Sequence, residues 1–145
     1  MEKDVYITIK STQCLEGEEQ PGAELITRGE YHYEGDKVFF LYEEGEASGM
    51  GGTITRFDIT PEEITLERRG EIRTKMIYRL GERTCFRYEM PYGLLNMDLD
   101  THEIDADLNE HGGTLRIIYD LAMDERRTMV SRNRFDIEIT DKIAV

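Results

Sequence analysis

The sequence predicts an all-β protein: one antiparallel barrel, closed or nearly closed, of about 8–10 strands spanning residues 1–145. Three observations carry this. Apolar residues recur at every second position in run after run. Turn-forming residues separate the runs at short intervals, and no long stretch shows the 3.6-residue period of an amphipathic helix.

In chain order, Val5, Ile7 and Ile9 alternate with Tyr6, Thr8 and Lys10, as in a half-buried strand. Leu25 to Tyr33 reads as the second strand. Glu34-Gly35-Asp36 then signals a tight turn into Val38-Phe39-Phe40-Leu41-Tyr42. After Gly49-Met50-Gly51-Gly52 come Thr53 to Ile59 and then Thr60-Pro61-Glu62-Glu63, which suits a type I turn with proline second. Ile64 to Arg68, Ile72 to Leu80, Thr84 to Met90 and Leu94 to Asp100 follow, divided by Gly70, Gly81-Glu82 and Pro91-Tyr92-Gly93. A tight connection near Thr101-His102 is expected to lead into Ile104 to Leu108. His111-Gly112-Gly113 opens Leu115 to Met123, and Asp124-Glu125 turns the chain into Thr128 to Thr140. Consecutive short connections imply an up-and-down meander. Closing it removes both exposed edges, so a barrel is expected before a two-sheet sandwich.

Composition narrows the function classes. Apolar residues at 39% and charged residues at 34% exclude a disordered chain and a membrane-embedded helical one. The N-terminus runs straight into a strand pattern without the apolar core of a signal peptide, so a soluble cytoplasmic protein is expected. Cys14 and Cys85 form no Cys-x-x-Cys and are expected to be reduced thiols. The net charge of −13 disfavours nucleic acid as a partner, since a phosphate backbone would be repelled; no membrane partner is indicated either.

If apolar parity marks the inner face, polar residues of the same parity become candidates. Phe57 and Ile59 carry Thr53 and Thr55 inward; Ile64 and Leu66 carry Arg68. Tyr119 goes in with Leu115, Ile117 and Leu121, and Asn133 with Phe135 and Ile137. Thr74 and Tyr78 share the parity of Ile72 and Met76, and Tyr31 that of Leu25. Arg56, Arg73, Lys75, Arg79, Arg87, Arg132 and Arg134 point to solvent by the same rule. Arg68 is the exception. A buried guanidinium is costly unless its five donors are satisfied. One reading gives it the head group of a small polar or acidic ligand near the barrel mouth, with Thr53, Thr55, Tyr119 and Asn133 as supporting hydrogen-bonders. The other pairs it with an internal acid or lets it reach water.

Other chemistry finds no support. Gly49-Met50-Gly51-Gly52-Thr53 precedes a strand rather than the helix a phosphate loop needs. The acidic run Asp98 to Asp107 lacks the glycine and final glutamate of a calcium loop. It reads as a solvated face, with Asp98 and Asp100 on one strand and Asp105 and Asp107 on its hairpin partner. His32, His102 and His111 show no metal-ligand spacing, and His102 and His111 are read as turn residues. No catalytic residue, metal site or cofactor is therefore assigned.

Tyr88 to Gly93, Asp107-Leu108-Asn109, Gly113-Thr114-Leu115 and Ile117 to Leu121, with Arg68-Arg69-Gly70 and Thr27 to Tyr31 upstream, resemble the YwiB-like bacterial domain family. The resemblance runs from about Val5 to about Ile139. It implies a calycin-like, lipocalin-like barrel in a cytoplasmic bacterial protein of unknown function, and carries over no catalytic residue. The chain lacks tryptophan, hence the Gly-x-Trp of lipocalins, and lacks the Arg-x-Tyr of fatty-acid binders. Ligand binding by this route is fold analogy.

The function expected is small-molecule binding at Arg68, Thr53, Thr55, Tyr119 and Asn133, with a cavity of roughly 300 Å3 or more. The alternative is a non-catalytic structural or interaction module with a filled barrel. It would act through its outer face or by forming a homodimer, and an exposed apolar patch is expected around Phe39, Leu41, Ile118 and Val130.

Overall fold

Glu34 pairs with Lys37 across Gly35-Asp36, and Gly35 adopts a φ of 71°, which an L side chain resists. The same local logic shapes the other turns. At Thr60 to Glu63 the Thr60 amide donates to the Glu63 carbonyl at 3.0 Å, and the Glu63 amide to Thr60 Oγ1 at 3.2 Å. The computed structural model describes residues 2–15, 17–45, 51–123 and 130–141. These described residues form ten strands: β1 (Glu2–Leu15), β2 (Glu18–Glu34), β3 (Lys37–Glu43), β4 (Ile54–Ile59), β5 (Ile64–Arg69), β6 (Arg73–Tyr78), β7 (Arg83–Met90), β8 (Gly93–Asn109), β9 (Gly112–Met123) and β10 (Val130–Thr140). Each pairs antiparallel with the next, and β1 pairs with β10 to close the barrel. The meander and its closure are as the periodicity predicts.

Two features differ from the sequence reading. β1 and β2 run on through Ser11 to Glu24, where polar residues give no apolar alternation to read. And Leu94 to Leu108 is one strand, not a hairpin. Its register slips between Thr101 and Glu103, placing His102 in a bulge. A bulge adds one residue and inverts the parity. Leu99 and Thr101 face inward before it; Ile104 and Leu108, of opposite parity, sit partly buried after it. In place of the tight connection expected near Thr101-His102 the strand carries this bulge. Asp98, Asp100, Asp105 and Asp107 accordingly lie along one strand.

The inner face holds the core, where Val5, Ile7, Tyr31, Phe40, Phe57, Ile64, Leu66, Leu99, Leu115, Ile117 and Ile137 are almost wholly buried. Aromatic rings cross the interior in a chain: Phe40 stacks on Phe57, Phe57 meets Phe135 edge-on, Phe135 meets Tyr119, and Tyr119 meets Tyr78, with centroids 4.9 to 6.0 Å apart. The middle of the barrel is thus filled by side chains. At Gly113 (φ 140°) a Cβ would fall 1.9 Å from the Asp107 carbonyl oxygen, so only glycine lets β8 and β9 approach there.

The wall is thinnest between β6 and β7. Their ladder has two pairs, Arg73 with Glu89 and Thr74 with Tyr88. Threonine hydroxyls stand in for some of the missing backbone bonds: Thr74 Oγ1 donates to the Arg87 carbonyl at 2.7 Å and Thr84 Oγ1 to that of Ile77 at 2.6 Å.

A candidate ligand site at the polar mouth

One rung of cross-strand neighbours runs through six strands: Tyr42, Thr55, Arg68, Thr74, Tyr88 and Leu95, each the register partner of the next. The rung below it across β3 to β6 is Phe40, Phe57, Leu66 and Met76. Side chains two apart share a face, so a largely polar belt lies directly on an apolar floor.

Arg68 sits in this belt with 11% of its side chain exposed. Its Nε lies 4.0 Å from Oε2 of Glu44, whose side chain is 3% exposed. That is an ion pair too long for a hydrogen bond, and among the described residues Arg68 Nε has no hydrogen-bond partner. Glu44 is held from the other side, accepting from Thr55 Oγ1 at 2.6 Å, while its amide donates to the Thr53 carbonyl at 2.8 Å. Burial pushes the Tyr42 hydroxyl well above the ordinary tyrosine range, the Glu44 carboxylate adds to the rise, and Arg68 opposes it. Tyr78 and Tyr119 are also raised, chiefly by burial, and Arg68 opposes both. The guanidinium is the positive centre of a ring of buried neutral phenols.

Beside it opens a cavity of about 280 Å3 lined by Ser11, Thr12, Gln13, Ala23, Arg68, Tyr119, Asn133, Arg134 and Phe135. Both charged residues of that lining are arginines. Arg134 is already engaged, with Nε 2.6 Å from Asp136 Oδ2 and Nη2 3.3 Å from Oδ1.

The structure brings Arg68, Tyr119 and Asn133 to one cavity. Thr55 stands behind, on Glu44. Thr53 is fully buried and its hydroxyl accepts from the Ile72 amide at 3.4 Å, tying down the turn between β5 and β6. Asn133 Nδ2 donates to the carbonyl and hydroxyl of Ser131. Glu44 escaped the sequence reading, although it continues the inward parity of Val38, Phe40 and Tyr42. Ser11, Thr12, Gln13 and Ala23 escaped it because the polar extension of β1 and β2 was not read as strand.

The outer face carries several ion pairs. Asp120 accepts from Arg132 Nε at 2.9 Å and lies 2.8 Å from His102 Nε2. Burial pushes the Asp120 carboxyl up, but its bonds to Arg132 and His102 outweigh this and hold it below the usual carboxylate range. Arg83 holds Asp100 at 2.9 and 3.2 Å. His111 lies in the turn before β9, as expected; His102 does not lie in a turn. Of the proposed apolar patch, Phe39 lies under His32, at 4.0 Å between centroids, and Arg56, at 3.9 Å, while Leu41 and Ile118 are half-buried. This is not an open apolar surface; the Val130 side chain lies outside the described residues. Cys14 and Cys85 are free thiols. Among the described residues no group of three or more His, Cys, Asp or Glu could hold a metal ion, and no helix is long and apolar enough to cross a membrane.

Comparison with known proteins agrees with the architecture. The chain is 28% identical over 122 residues to an uncharacterized beta-barrel protein, YwiB, of Bacillus subtilis (strain 168), covering 83% of this chain and 84% of that one. The crystal structure of ywiB protein from Bacillus subtilis superposes with a TM-score of 0.79 at 24% identity, over 94% of this chain and 92% of the other. At that identity the superposition speaks for the fold alone. Residues 7–137 match the family described as a domain of unknown function, DUF1934, and the chain belongs to that family.

Proposed function

We propose that this protein is a small-molecule-binding barrel whose ligand is a small acid held beside Arg68 at the polar mouth. One observation carries the reading. In a chain of net charge −13, both charged residues lining the cavity among the described residues are arginines, and among those residues the buried one has only a loose internal partner. A ligand anion in the cavity would hydrogen-bond the guanidinium, which Glu44 approaches no nearer than 4.0 Å. The aromatic chain fills the barrel beneath, so the ligand would sit at the mouth rather than deep inside as in a lipocalin-like cavity. At about 280 Å3 the space lies just below the usual range for drug-sized ligands. The two free thiols fit a reducing, cytoplasmic setting.

Native mass spectrometry of freshly purified protein, followed by melting in the presence of small organic acids, tests this. A co-purified small acid is expected. Added acid at about 100 times its Kd should stabilise the fold by roughly 2.7 kcal/mol, several degrees in Tm, and Arg68→Lys should weaken that response. Protein that carries no acid and whose melting no acid changes would overturn the proposal.

A further inference from the structure

Resting on that reading of the mouth, we infer that the ligand is a small monocarboxylate with a flat body, and that Glu44 is the residue that excludes dianions. Charge comes first. Of the two cations lining the cavity, Arg134 is bound through two nitrogens to Asp136 at 2.6 and 3.3 Å. One guanidinium therefore serves the ligand. That guanidinium already has a buried carboxylate at 4.0 Å, itself fixed by Thr55 Oγ1 at 2.6 Å and by the bond from its amide to Thr53. Glu44 cannot withdraw without breaking those bonds. A single incoming negative charge makes the local sum of Arg68, Glu44 and ligand −1; a second makes it −2 beside two side chains only 11% and 3% exposed, where like charges repel more strongly than in water.

Shape comes next. The planar fork of an arginine matches a carboxylate with two parallel hydrogen bonds. The body beyond it would rest on the rings of Tyr119 and Phe135, whose centroids lie 5.8 Å apart at 33°, and on Ala23. Asn133 and Ser11 face it from β10 and β1. A cation beside two aromatic rings suits an acid with a flat body, Thr12 and Gln13 complete the polar side of the lining, and the volume keeps the ligand small.

Calorimetric titration of the full chain at about pH 8 with benzoate, benzamide, phthalate and phenyl phosphate separates the possibilities, because all the acids are then ionised. Benzoate should bind at least about tenfold more tightly than neutral benzamide, which lacks the charge, and than the dianions phthalate and phenyl phosphate. Glu44→Gln should narrow the preference for benzoate over phthalate by about tenfold. A dianion that binds the unsubstituted protein as tightly as benzoate overturns the inference; if Arg68→Lys weakens that binding, the mouth still stands as an acid site. Unchanged selectivity in Glu44→Gln removes Glu44 from the role assigned to it. If none of the four binds, the monocarboxylate inference falls, while the acid-site reading is decided by the co-purified molecule. Should Glu44→Gln fail to fold, the ranking on the unsubstituted protein decides alone.

Discussion

Arg68 and Glu44 face each other across 4.0 Å inside the barrel wall, an ion pair without a hydrogen bond. Removing one member of a buried pair leaves an uncompensated charge, whereas removing both need not. Arg68→Met should destabilise the fold by about 3–5 kcal/mol. The Arg68→Met/Glu44→Gln double substitution should cost clearly less than the sum of the singles. Urea unfolding of the four proteins completes the cycle; additivity to within about 0.5 kcal/mol would show that the two residues do not sense each other.

The β6–β7 seam should be the first part of the wall to open. With two ladder pairs and threonine hydroxyls bridging the gap, amides of β6 and β7 should exchange hydrogen faster than those of β1 and β10, which share ten pairs. Thr84→Val leaves the Ile77 carbonyl without its hydroxyl donor and should cost about 1 kcal/mol. Equal protection around the barrel would contradict this.

Gly113 and Gly81 separate close approach from backbone conformation. Both have positive φ, 140° and 75°, but a Cβ at Gly81 would meet nothing within 4 Å, while one at Gly113 would strike the Asp107 carbonyl at 1.9 Å. Gly81→Ala should cost about 1 kcal/mol for left-handed strain alone. Gly113→Ala should cost more than about 3 kcal/mol, because the β8–β9 ladder must part. Comparable melting temperatures for the two variants would refute the distinction.

Acid should weaken the outer face. Burial raises the carboxyls of Asp120 and Asp136, but hydrogen bonds to Asp120 from Arg132 and His102, and to Asp136 from Arg134 and Arg116, bring both below their ordinary value. A folded value below the unfolded one gives stability that is present above about pH 4 and is lost as the pH falls through the depressed value. The urea midpoint should drop between pH 5 and pH 2, and Arg132→Gln should flatten that fall. An unchanged slope in Arg132→Gln would detach Asp120 from acid stability.

Alkali should act from within. Burial pushes Tyr31 up to about 12, and Tyr42, Tyr78 and Tyr119 are raised as well. A raised folded value gives stability that is complete below the unfolded value near 10 and disappears as the pH rises through the folded one. Ultraviolet titration should show Tyr31, Tyr42 and Tyr78, three of the eight tyrosines, resisting ionisation at pH 11 until the barrel unfolds, with Tyr119 ionising above the ordinary tyrosine range. Reversible ionisation of all eight in the folded protein would contradict the burial.

Which faces look inward is legible along the chain. Side-chain direction in a strand alternates residue by residue, so the apolar partners of Arg68, Thr55, Tyr119 and Asn133 sufficed to turn those residues toward the core, and Gly35-Asp36 and Pro61 sufficed to mark turns. What the inward residues meet depends on how distant strands pair. Glu44 reaches Arg68 across two ladders, and Ser11 joins Asn133 at the cavity because β1 closes on β10. The continuity of β8 depends on it too, since a bulge at His102 and a tight turn both reverse parity and are told apart by cross-strand pairing. Alternation is a property of neighbours along the chain; pairing, closure and the depth of a charge belong to strands far apart in sequence, and no local period encodes them.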